Sequence, residues 1–86
     1  MLKEKMANDN DRHSHLFPQA EAYIRQRFGF FDPHPRSCML STRFLITNSL
    51  WFVERGISTL EEEETYIQKC LDVHEVYLNS LKNLSN

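Results

Sequence analysis

Four side chains in this 86-residue chain carry metal-ligand chemistry at helical spacing. His34 and Cys38 lie four apart, and so do Cys70 and His74. Two thiolates and two imidazoles are a donor set that tetrahedral zinc favours. On a helix, residues four apart stand side by side. As a motif the set is poor. The two pairs are distant in sequence, and no Cys-x-x-Cys knuckle joins either. Cys70 and His74 also fall on apolar stripes, where cysteine commonly acts as a small hydrophobe. The preferred reading therefore has no metal and no cofactor. His34, Cys38, Cys70 and His74 are kept as the ligand set of a zinc-stabilised alternative.

Nucleophilic chemistry would need a thiol with a neighbouring base and an electropositive setting. Cys38, close to Arg36 and His34, is the better of the two cysteines. The chain has only two glycines, and both read as helix stops. No glycine-rich turn can make an oxyanion hole or cradle a phosphate. A short helical chain also offers little concavity for a substrate. The sequence predicts a protein without catalytic residues.

Charge is divided unevenly. Residues 1–21 carry net −1, residues 22–56 net +3 and residues 57–86 net −4. Every base in the middle segment is arginine: Arg25, Arg27, Arg36, Arg43 and Arg55. Arginine forks suit phosphate or carboxylate. A nucleic-acid-binding regulator is thus one alternative, but five arginines over that span are no cluster and the whole chain is acidic. The favoured reading pairs them with acids of the C-terminal helix, including Glu61, Glu62, Glu63 and Glu64. That run of carboxylates suits the positive end of a helix dipole and lacks calcium-loop spacing. Trp51 and Tyr23 read as core. Phe30 and Phe31, in a loop stiffened by Pro33 and Pro35, read as binding hot spots with Arg36, Arg25 and Arg27 around them.

These side chains must be positioned by a small scaffold. The chain has 41% hydrophobic and 26% charged residues, too apolar for a disordered chain. It has no run of roughly 18–20 apolar residues to span a bilayer. Two cysteines and the lack of an apolar stretch near Met1 favour a reducing cytoplasm. Met6 is an alternative start. Residues 1–13 are polar and without period, and are expected to be a disordered tail preceding a single helical domain over residues 14–86.

Phe17, Ala20, Ile24 and Phe28 share one helical face, with Pro18 in the first turn and Gly29 after the last. This predicts a short helix over 17–28. Residues 37–55 are apolar almost all round, which predicts a helix buried on most sides, capped by Ser37 and stopped at Gly56. The alternative is an α+β fold with a hairpin in 38–53, turning at Thr47-Asn48-Ser49. Residues 58–84 read as a long amphipathic helix opening on a capping box, Ser58 to Glu61. It carries two stripes. One is Leu60, Ile67, Leu71, His74, Leu78 and Leu81. The other is Tyr66, Cys70, Val73, Tyr77 and Leu84.

The fold class is therefore all-α with three helices. Chains of this size often need help to stay folded. Two short helices cannot cover a long double stripe, so a homodimeric bundle is expected, with Ile67, Leu71, His74, Leu78 and Leu81 as its seam. The expected function is a small non-catalytic protein that binds and modulates a protein partner, as an adaptor, inhibitor or regulatory subunit does.

Overall fold

The structure is a computed structural model that describes residues 13–85. The predicted tail over residues 1–12 lies outside the described residues. His13, assigned to that tail, is described, and its ring lies 5.0 Å from that of Trp51.

Three helices are joined by short turns. A 3₁₀ turn, Ser14–Leu16, runs into α1, Phe17–Phe28. A second 3₁₀ turn, Pro35–Ser37, precedes α2, Met39–Glu54. The long helix α3 is Leu60–Ser85. The fold is all-α, and no strand occurs among the described residues. The hairpin alternative is overturned: residues 39–54 close a continuous helix, because Thr47-Asn48-Ser49 has no glycine to reverse the chain.

The helix ends follow backbone chemistry. Pro18 sits in the first turn of α1, where no N–H is required. Gly29 ends it at φ +87°, donating its N–H to the Arg25 carbonyl at 2.7 Å. Gly56 takes φ +77° after α2, and the following amide of Ile57 returns to Phe52 O at 3.0 Å. These left-handed turns suit glycine because it has no Cβ to clash.

Two predicted caps are displaced. Ser37 does not cap α2 alone. Its hydroxyl accepts from the Met39 amide at 3.2 Å and lies 2.7 Å from Asp32 O and 2.8 Å from His34 O. The capping residue is Cys38, held at φ +61°. At α3 the box is one residue later than Ser58–Glu61. Thr59 Oγ1 accepts from the Glu62 amide at 3.1 Å, and Glu62 Oε1 accepts from the Thr59 amide at 3.0 Å.

α2 is the common neighbour, packed against α1 on one side and α3 on the other. The core holds Leu16, Ala20 and Ile24, then Met39, Ile46 and Leu50, then Ile67, Cys70 and Leu71. Tyr23, Phe28, Phe31 and Trp51 pack around it. α2 also buries Thr42, Thr47 and Ser49. It is not buried on most sides, as its all-round apolarity suggested. Phe44 is 52%, Leu45 41% and Phe52 39% exposed. Two neighbours cannot enclose a helix, and among the described residues no third helix packs on its outer side.

The predicted dimer seam points the wrong way. Ile67, Leu71 and His74 are buried within the single chain. α2 packs along that stripe, and Phe28 and Arg27 of α1 reach across to His74 and to Asp72 and Glu75. Of the five seam residues, only Leu78, half-buried, and Leu81, exposed, escape this cover.

Candidate functional site

The second stripe of α3 faces a groove. Tyr66, Cys70, Val73 and Tyr77, with Lys69 and His74, form one bank of a cavity of about 410 Å³. Cys38, Ser41, Thr42 and Leu45 of the α2 side form the other. The groove arises because α2 and α3 touch through their buried faces and splay above them. Its upper walls are apolar and open to solvent: Tyr66 is 43% and Val73 69% exposed. A smaller depression lined by Asn48, Ser49, Phe52, Glu63 and Tyr66 continues it toward the start of α3.

His74 lies beneath the groove. Its Nδ1 is 3.1 Å from Thr42 Oγ1, whose hydroxyl also donates to the Cys38 carbonyl at 3.3 Å. A threonine has one hydroxyl proton. With that proton on the Cys38 carbonyl, Nδ1 donates to Thr42 and Nε2 holds a lone pair. Nε2 is buried and has no hydrogen-bond partner among the described residues. The Phe28 ring stands edge-on to the imidazole at 5.2 Å. Burial lowers the pKa of His74 below 6.5, because the charged form would lose its hydration.

The thiols are tuned away from reactivity or occupied. Both are free. Burial pushes the Cys70 thiol up, and a hydrogen bond with Tyr66 only partly opposes this. Tyr77 is raised by its hydrogen bond to Cys38 and then by burial, and its hydroxyl donates to Arg36 O at 3.2 Å. His34 Nδ1 accepts the Arg36 amide at 3.1 Å, so this histidine serves its own turn rather than the Cys38 thiol. Among the described residues no three His, Cys, Asp or Glu side chains are placed to hold a metal ion. Cys38, Cys70 and His74 line one groove, but the His34 ring is held in its own turn, so the zinc-stabilised alternative loses its ligand set.

The arginines are mostly engaged inside the chain. Arg27 pairs with Asp72 at 2.8 Å and Glu75 at 2.9 Å, joining α1 to α3. Arg43 pairs with Glu21 at 2.9 Å and stacks 3.9 Å over the Phe17 ring. Arg25 reaches the same glutamate at 3.5 Å and lies 5.8 Å from the Phe31 ring. Pairing with α3 was expected from the run at 61–64. The acids of α3 used among the described residues are Asp72 and Glu75, both by Arg27, rather than those of the run. Arg36 is exposed, with no ion pair among the described residues. Arg25, Arg27, Arg36 and Arg43 do not form a free basic face.

The predicted aromatic hot spots separate. Phe31 packs on the core. Phe30 is 50% exposed and lines a second cleft of about 400 Å³ with Phe28, Leu78 and Leu81, edged by Glu75 and Lys82. Sequence reasoning missed Leu45 and Phe52 as surface residues, and it missed Arg43 as the joint between α1 and α2. The second stripe of α3 was visible as a pattern, but nothing local said that it faced outward.

Comparison with family profiles, with curated proteins and with solved structures gives no match to this chain. Among the described residues no helix is long and apolar enough to cross a membrane.

Proposed function

We propose that this chain is a small non-catalytic helical protein that binds another macromolecule through the groove between α2 and α3. It acts as an adaptor, inhibitor or regulatory subunit does, by covering or presenting a surface. The observation that carries this is the groove itself: two helical banks, apolar and largely exposed, with Leu45 on one side and Tyr66 and Val73 on the other. Exposed apolar surface of this continuity marks an interaction site. A trough between two helices suits the apolar face of a third. Two free thiols suit the cytoplasm as its setting.

A photoreactive side chain placed at Val73 tests this in cells. Cross-linking to a macromolecule is expected from Val73 and not from Gln19, an exposed residue of α1. Equal yields from both positions, or none from Val73, would refute the groove as the binding surface.

A further inference from the structure

Resting on the groove as a docking site, we infer that its occupant is α3 of a second copy of this chain. The two copies of α3 pack antiparallel across a two-fold axis near Tyr66. Of the two stripes on α3, the first is buried at Ile67, Leu71 and His74, whereas the second leaves Tyr66 43% exposed. With Glu62 opposite Lys69 the two α3 helices overlap over about residues 60–71, so Tyr66 lies at the axis and Val73, 69% exposed, lies past the start of the partner's α3, opposite the turn that precedes it. The second stripe's steps of three and four residues are those that let two helices interlock.

Charge selects a second copy over an unrelated helix. Glu62 and Lys69 are seven residues apart, which puts them on the same flank of α3, about 10 Å apart. Tyr66 lies between them. Neither has an ion-pair partner among the described residues. Glu62 uses only Oε1 in capping Thr59, and Oε2 has no hydrogen bond among the described residues. An identical helix turned end for end brings each Glu62 to the partner's Lys69, and each Lys69 to the partner's Glu62. The flank is thus complementary to itself, as a two-fold interface requires. Leu45 and Phe52 of α2 supply apolar cover on the outer side. The product is a short antiparallel seam over residues 60–71 of the two α3 helices, flanked by α2 of each copy.

Sedimentation of the purified chain, from about 1 µM to 1 mM, tests the assembly. A species of twice 10.3 kDa is expected. Lys69→Glu and Glu62→Lys each set like charges across both flanks and should each weaken the dimer about tenfold. Mixing the two variants restores opposite charges on both flanks, so the mixed dimer should regain the original affinity. A folding defect in either variant, including loss of the Thr59 cap in Glu62→Lys, would not be rescued by mixing. A dimer indifferent to both substitutions, or without recovery on mixing, overturns the inference. A monomer at every concentration also overturns it. In that case an apolar dye separates the two claims. Dye uptake abolished by Val73→Glu would leave the groove as a site for another macromolecule, whereas uptake unaffected by Val73→Glu would remove the groove reading as well.

Discussion

His74 is only 3% exposed, and its Nε2 makes no hydrogen bond among the described residues. Thr42 holds the ring through Nδ1, and Phe28 and Tyr77 flank it. Such a group is tolerated while neutral and costly when charged. Burial sets its folded pKa below the unfolded value of 6.5. The unfolded chain therefore binds more protons as pH falls through that window. The stability is complete above about pH 6.5 and declines below it, by at most about 1.4 kcal/mol per pH unit. Thermal melts between pH 7.5 and 5.5 should show this decline, and His74→Leu should flatten it. An equal decline in the variant would assign the acid sensitivity elsewhere. The type of residue at position 74 was legible as chemistry, but its isolation was not. That depends on Thr42 and Phe28, which come from two other helices.

At the scale of the element, the start of α3 separates local pattern from realised geometry. Ser58 and Thr59 are both good caps, and Glu61 and Glu62 both stand three residues beyond one of them. Sequence rules alone choose the first. The structure uses the second, since the amides of Ile57 and Ser58 both bond back to the Phe52 carbonyl, at 3.0 and 3.3 Å. Ser58 is thereby still part of the turn out of α2 when α3 begins. Thr59→Ala should cost about 1 kcal/mol, read as a fall of several degrees in Tm. Ser58→Ala should cost less than about 0.5 kcal/mol. The reverse order would return the cap to Ser58. The other end of α2 shows a different compromise. Cys38 adopts φ +61°, a region that L residues seldom occupy. Ser37, bonded to Asp32 and His34, turns the chain there before the first amides of α2 are free.

At the scale of the molecule, helix lengths govern the outcome. α1 has 12 residues, α2 16 and α3 26, or about 18, 24 and 39 Å. The shorter pair covers the first stripe at Ile67, Leu71 and His74 and leaves Tyr66 and Val73 of the second exposed. A chain of this size has little stability to spare, so binding at the open stripe would raise it by mass action. For the assembly proposed above, Tm should rise with protein concentration, by several degrees over a hundredfold range. A Tm independent of concentration would mean that no second copy contributes to the folded state. The expectation of a second copy came from this same length argument. It named the wrong stripe because length says how much of a helix is uncovered, but not which side.

The sequence by itself determined α1, α3 and the glycines that end α1 and α2, while for residues 38–53 it left helix and hairpin both open. Pro18, Gly29 and Gly56 act through φ and through single N–H groups, and the periodicity of residues 17–28 and of α3 acts between neighbouring turns. These are local effects, complete within a few residues. Only the tertiary structure decided how each helix is rotated about its axis. That rotation turned Ile67, Leu71 and His74 inward and left Tyr66, Val73 and Leu45 on the groove. It also joined Arg43 to Glu21 and Arg27 to Asp72, pairs that are remote in the chain. Rotation follows from the balance of all three helices packing at once. A stripe read on one helix fixes that this face must be covered, and its neighbours in space decide by what.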